Sequence, residues 1–350
     1  MRIGRRLIWG VVGGLLCFVC ATSHASLEPT KTWYAPGQPI IVKNTAAEVV
    51  EVRLTDFIGR IIDPPETLEL GPGDEVNLSD VFPLRLVNTY VVYAVPPAAE
   101  SMRDFLGTPL VVNVRGDDRP GATDGPVVTK VVPLEFAEMQ TDSGQLRLAF
   151  YYNAAPRTVT NFLDLSRGGF YDGLDFHRVL PGYLIQGGDP LGDGTGGPGY
   201  RLAAEFNDVP LLPGTVAMSR VVDPLERQGA LPRRAAADSA GSQFFMLLDP
   251  DEQQIEGLRR RYTVFARVVD GMDVLGALGM RAGERPVIRD VEVKPVTATA
   301  NPYPRLLASP IDGSLLVPPG IEPTTRPSTR PATRPTTRPS ATRPTTQPTR

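Results

Sequence analysis

The chain has 350 residues, 41% of them hydrophobic and 21% charged, with a formal net charge of −3. That length accommodates more than one domain, and the acidic balance argues against nucleic acid as the main partner. Two cysteines, Cys17 and Cys20, and two histidines, His24 and His177, leave little material for a disulfide framework or a Cys/His zinc centre.

Residues 1–25 read as a signal peptide. Arg2, Arg5 and Arg6 form a positive start, Leu7 to Ala21 an apolar run, and Ser23 and Ala25 the small residues of a cleavage site. The run holds 15 residues, whereas a spanning helix takes roughly 20; a membrane anchor is the alternative reading. Cleavage after Ala25 would remove both cysteines, whose C-x-x-C spacing is then accidental, together with His24. Removing Arg2, Arg5 and Arg6 from the 36 basic residues leaves 33 against 39 acidic ones. The expected location is exported, either periplasmic or extracellular.

Residues 26–115 suggest a β-sandwich, with an immunoglobulin-like arrangement as one form of it. In "EVVEVRLTDF", Val50, Val52 and Leu54 alternate with Glu51, Arg53 and Thr55. "PIIVKN", "TLELG", "LRLVNTYVVYAV" and "PLVVNV" supply further strands, separated by turns such as Gly71-Pro72-Gly73-Asp74. No cluster of reactive side chains marks this region, so it reads as a spacer or docking module. "GDDRPGATDGP", residues 116–126, is a linker by composition.

A second domain is expected over 127–295. It opens with a hairpin, "VVPLEFAEM" and "QLRLAFYY", around Asp142-Ser143-Gly144. "PRTVTNFLDLSR" predicts a helix starting at Pro156, whose missing N–H would be unpaired there anyway. Val159, Phe162 and Leu163 fall on one face, and Gly168-Gly169 ends it. "GMDVLGALG" predicts another helix. Residues 296–350 read as a proline-rich disordered tail ending in Thr-Arg-Pro repeats, with almost no apolar side chains to offset the entropy of ordering. Its arginines suit envelope contact through anionic glycans or lipid headgroups; a solubilising or spacing tail is the alternative.

The stretch "DFHRVLPGYLIQGGDP" carries the candidate chemistry. His177 invites a role as a base, but strand alternation puts Phe176, Arg178 and Leu180 on one face and His177 and Val179 on the other. "GSQFFMLL" places Gln243 and Phe245 on a common face, and "GTVAMSR" adds a third cluster. Together they offer a cation, two amides and apolar walls. Gly192, Gly194 and Gly197 satisfy G-x-G-x-x-G, but Pro198 and Gly199 follow where a dinucleotide site needs a helix; this reads as a turn-rich loop. No G-x-S-x-G elbow occurs.

"FHRVLPGYLIQGGD", "GTGGPGY", "GTVAMS", "AGSQFF" and "RYTVFARVVDGMDV" occur in an order and spacing that resemble the cyclophilin-type peptidyl-prolyl cis–trans isomerases, over about residues 131–293. The resemblance implies a mainly β fold, an eight-stranded antiparallel β-barrel with two helices, one closing each end. It implies isomerase activity on proline-containing polypeptides without a cofactor or metal. By the same resemblance Arg178 is the catalytic residue. Tyr183, Leu184, Phe245 and Leu258 line the proline pocket, and Met218 supports it. Gln186 and Gln243 hold the peptide backbone, Ser219 and Arg220 belong to the segment pairing with the substrate main chain, and Tyr262 sits on the rim. Phe244, turned away from Phe245, reads as core.

Two departures stand out. "DEQQIEGLRRRY" lacks the aromatic that commonly precedes the position of Leu258, which argues against tight cyclosporin binding; Ile255 is the alternative for the Leu258 position. Residues 221–240 make a longer loop than usual, either a substrate contact or a surface insert. A non-catalytic peptide-binding module built on the same barrel is the rival function.

Overall fold

A computed structural model describes residues 26–304, apart from 63–66, 83, 85–87, 98 and 117–125. The expected signal peptide over 1–25, most of the expected 116–126 linker and the Thr-Arg-Pro tract lie outside the described residues. Among the described residues no helix is long and apolar enough to cross a membrane.

The N-terminal part runs through β1 (Leu27–Pro29), β2 (Trp33–Tyr34), β3 (Ile41–Asn44), β4 (Val50–Asp56), β5 (Ile61–Ile62), β6 (Leu68–Leu70) and β7 (Glu75–Asn77). A single turn, α1 (Leu78–Val81), leads to β8 (Asn88–Val95), β9 (Leu106–Gly116) and β10 (Pro126–Pro133). One sheet has the order β1-β3-β7 and the other β2-β10-β9-β8-β4-β5, with β6 also paired to β4. Val42 of the small sheet and Val50, Val52 and Leu54 of the large one share a buried core. On β8 and β9 the alternate residues Tyr90, Val92, Leu110 and Val112 enter this core, while Val91 and Val111 pack into the core of the second domain. Burial on both faces accounts for the unbroken apolar runs in these strands. The sandwich is therefore one side of a shared core and not a detached spacer.

The domain boundary differs from the expected 127. β10 pairs antiparallel with β9, Val131 opposite Val112, so "VVPLEFAEM" is divided between two sheets at Leu134. A continuous β-rich run gives no local sign of changing partners.

The second domain contains β11 (Glu135–Thr141), β12 (Gly144–Phe150), α2 (Pro156–Arg167), β13 (Arg178–Leu180), β14 (Leu184–Gly187), β15 (Thr215–Met218), α3 (Arg234–Ala237), β16 (Phe244–Leu247), α4 (Glu252–Leu258), β17 (Val264–Asp270), α5 (Met272–Gly279) and β18 (Ile288–Pro295). Its antiparallel sheet has the order β13-β14-β16-β15-β17-β12-β11-β18. The sheet curls until its two edges meet. Asp175 bridges Val287, Phe176 N–H donates to Pro286 at 2.8 Å, and Ile288 N–H donates to Leu174 at 2.8 Å.

Val159, Phe162 and Leu163 of α2 and Leu275 and Leu278 of α5 all enter the barrel core. Phe162 stacks on Tyr171 at 4.9 Å between ring centres. The N-cap residue Ala155 makes no side-chain cap. Glu205 replaces it, accepting from Thr158 N–H and Oγ at 2.9 Å and from Arg157 N–H at 3.2 Å. A carboxylate at a helix N-terminus is favoured by the exposed N–H groups and the helix dipole. Arg115 at the end of β9 donates to the same carboxylate at 2.7 Å, tying the sandwich to α2.

The expected tail from 296 is corrected for its first residues. Val296 is fully buried and donates from its N–H to Leu134 at 2.9 Å. Tyr303 is 5% exposed, its hydroxyl donates to the carbonyl of Glu135 at 2.7 Å, and its ring meets Phe57 edge-on at 6.1 Å. Composition averaged over a proline-rich segment hides two such apolar anchors.

Candidate functional site

Strand register brings the candidate residues together. Arg178 of β13 lies opposite Gln186 of β14, and Gln186 lies opposite Phe245 of β16. Directly opposed residues in an antiparallel pair present their side chains to the same face, so residues up to 67 positions apart form one row. The neighbouring row, Gly187–Phe244–Met218, faces the core. Phe244 is fully buried there, edge-on to Phe162, Tyr171 and Phe176.

The row opens into a cavity of about 790 Å³. Of the sequence-predicted residues, Arg178, Tyr183, Leu184, Gln186, Ser219, Arg220, Gln243, Phe245, Leu258 and Tyr262 line it. Met218 does not: it is 2% exposed and lies in the core row beneath. Leu258, and not Ile255, faces the cavity. It is delivered by α4, whose first turn is closed by Asp251 accepting from Gln254 N–H at 2.8 Å and Gln254 Oε1 accepting from Asp251 N–H at 2.9 Å.

A hydrogen-bond chain crosses the floor. Arg178 Nη1 reaches Gln186 Oε1 at 3.4 Å, Gln186 Nε2 donates to Ser219 Oγ and Gln243 Oε1, each at 3.0 Å, and Gln243 Nε2 donates to the carbonyl of Gly196 at 2.9 Å. The chain fixes which end of each amide is the acceptor. The Arg178 contact is long for a hydrogen bond, so the guanidinium keeps its donors. Among the described residues no carboxylate pairs with it, and it is exposed to the cavity. Phe245, 3% exposed, meets Tyr262 edge-on at 5.2 Å, and Leu184 and Leu258 complete an apolar end. Burial pushes the phenols of Tyr183 and Tyr262 above their ordinary range, so both stay neutral near pH 7.

Two expectations change, those for Phe176 and Arg220. Phe176 does not share a face with Arg178: Phe176 is fully buried, because the regular ladder begins only at Arg178. His177 is absent from the cavity lining, and both its ring nitrogens are buried without a hydrogen-bond partner. Desolvation pushes its pKa down, keeping the ring neutral. Arg220, expected beside the substrate, spends its guanidinium on Glu226 at 2.7 and 2.8 Å and on the carbonyl of Arg261 at 2.7 Å.

Sequence reasoning missed one wall. The glycine-rich loop set aside as a decoy contributes Gly194 to Arg201 to the lining. Buried Asp189 holds it, accepting from Leu191 N–H at 2.9 Å and Gly194 N–H at 2.5 Å. A Cβ on Gly196 would lie 2.0 Å from that carboxylate, so glycine alone fits. Leu191, Val221, Val222 and Ser239 also line the cavity. Among the described residues no group of three or more His, Cys, Asp or Glu could hold a metal ion.

A family profile described as "Cyclophilin type peptidyl-prolyl cis-trans isomerase/CLD" matches residues 136–298. A peptidyl-prolyl cis-trans isomerase of Synechococcus elongatus is 41% identical over 149 residues, which is 43% of this chain and 90% of that protein. The chain is a member of the cyclophilin family. Peptidyl-prolyl cis-trans isomerase B of Bacillus subtilis is 38% identical over 44% of this chain and 93% of its own length. A cyclophilin from Cryptosporidium parvum, solved in the presence of the dipeptide Ala-Pro, is 25% identical, with a TM-score of 0.39 over 46% of this chain and 99% of its own. The cyclophilin barrel accounts for the second domain; the sandwich lies outside the matched residues.

Proposed function

We propose that this cyclophilin accelerates rotation about X–Pro bonds in exported polypeptides, with Arg178 as the catalytic residue. The observation that carries the reading is the row Arg178–Gln186–Phe245, which sets a cation, an amide and an apolar ring on one cavity floor. Rotation about an amide must break its resonance, a barrier of about 18–20 kcal/mol. No covalent bond is cleaved, so the reaction asks for neither nucleophile nor proton relay. As the bond twists, the proline nitrogen pyramidalises and regains a lone pair. A guanidinium N–H can donate to that lone pair in the transition state far better than to the planar amide, which is differential transition-state binding.

Arginine suits this role because it stays charged and its fork is rigid. In this reading Phe245, Leu184, Leu258, Tyr183 and Tyr262 hold the proline ring. Gln186 and Gln243, already oriented by their mutual hydrogen bond, present polar atoms to the peptide backbone. Residues 1–25 would direct the chain to the periplasm or the exterior, and the arginines of the C-terminal tract would contact the envelope.

The test is acceleration of cis–trans exchange in a short X–Pro peptide by the full chain. Absence of acceleration with retained peptide binding would leave a non-catalytic module. Export is tested by fractionating cells expressing the full chain and sequencing the mature N-terminus; intact Met1 in the cytosolic fraction would refute it.

A further inference from the structure

Residues 221–240 are built as a braced element. Pro224–Gln228 forms a 3-10 turn in which Asp223 accepts from Leu225 N–H at 3.1 Å and Glu226 Oε1 accepts from Asp223 N–H at 2.7 Å. Asp223 also receives Arg233, from Nε at 2.7 Å and from its N–H at 3.0 Å.

Glu226 has a second engagement, which points out of the insertion and toward the cavity. Both its oxygens take the fork of Arg220, at 2.8 and 2.7 Å, with the two side chains 8% and 2% exposed. Arg220 Nε donates to the carbonyl of Arg261 at 2.7 Å. These bonds hold the guanidinium 4.5 Å from the centre of the Tyr262 ring, with Phe206 also within 5.8 Å. Tyr262 in turn meets Phe245 edge-on. A buried guanidinium without its carboxylate would be a desolvated cation driven toward water, and the Tyr262 ring would no longer be covered on that face.

We propose that Glu226 and Arg220 are positioning residues for the apolar end of the cavity. The insertion's carboxylate fixes the guanidinium, the guanidinium fixes Tyr262, and Tyr262 fixes Phe245. The same pairing neutralises Arg220, so that it does not compete with Arg178 for the substrate. This rests on the isomerase reading only for its kinetic consequence; the relay itself is read from Tyr262.

The experiment uses the full chain as wild type, Glu226→Gln, Arg220→Lys and Arg233→Ala. Glu226→Gln keeps an acceptor for Asp223 N–H but removes the charge. Arg220→Lys keeps the charge but loses the two-pronged fork and the guanidinium's place over the Tyr262 ring. Arg233→Ala breaks the Arg233–Asp223 ion pair of the insertion and leaves the relay intact.

Exchange kinetics on an X–Pro peptide and the ring resonances of Tyr262 are recorded for each. Glu226→Gln and Arg220→Lys should raise KM about fivefold with kcat within about twofold, the size of one cation–π interaction removed from binding that ground and transition states share. Both should shift the Tyr262 resonances, and Arg233→Ala should change neither readout. Unshifted Tyr262 resonances in Glu226→Gln and Arg220→Lys would overturn the relay, as would Arg233→Ala raising KM equally. An inactive wild type would refute the isomerase reading by itself, and the Tyr262 resonances would still decide the relay.

Discussion

Replacing Tyr303 tests whether residues 296–304 belong to the fold. The hydroxyl bonds two backbone groups, donating to Glu135 C=O at 2.7 Å and accepting from Phe150 N–H at 3.3 Å. Tyr303→Phe removes both bonds at a buried position, and should cost about 1–3 kcal/mol. Tyr303→Ala also empties the space against Phe57, and should cost about 3–5 kcal/mol. Urea unfolding followed by fluorescence measures both. With a slope of about 3 kcal/mol per molar, a loss of 4 kcal/mol lowers the midpoint by about 1.3 M. A chain ended after Pro295 should fall at least as far. A Tyr303→Ala midpoint within about 0.2 M of wild type would refute the anchoring role.

Gly188 has φ +80°, and a Cβ there would stand 2.5 Å from the carbonyl of Ser242. Gly188→Ala should therefore destabilise by about 1–3 kcal/mol and raise KM, because Ser242 precedes Gln243; unchanged stability and kinetics would contradict this packing. His177 has its folded pKa pushed below the ordinary value by burial. Below about pH 6.5 the unfolded chain binds the proton more readily, so folding stability is lost as pH falls through that range. His177→Leu should flatten this part of the stability profile relative to wild type and keep isomerase activity; equal slopes, or loss of activity with the fold intact, would count against a purely structural histidine.

Legibility in the sequence followed locality. Helix α2 was readable from Pro156 to Arg167 because its start, apolar stripe and glycine stop are all local signals. The cap on that helix was not, since Glu205 lies 47 residues beyond Thr158. Ten candidate residues converge on one cavity, but alternation alone could not supply the register that aligns Arg178, Gln186 and Phe245. Alternation also misplaced Phe176, which precedes the regular ladder. The motif "GTGGPGY" was visible, but its place in the cavity wall was not, because the lining from Gly194 to Arg201 is largely backbone and glycine, which carry no chemical label. The commitment of Arg220 to Glu226 depends on how the 221–240 insertion folds back, and spacing does not encode that.

The most direct test of the central claim is the isomerisation rate of a short X–Pro peptide with the full chain and with Arg178→Ala. Loss of one donor aimed at transition-state charge should lower kcat/KM by about 10²–10³, chiefly through kcat. Urea midpoints should stay close to wild type, because Arg178 is exposed to the cavity and pairs with no carboxylate among the described residues. Acceleration by the wild-type chain that collapses in Arg178→Ala is the predicted result. Full activity in Arg178→Ala would contradict it.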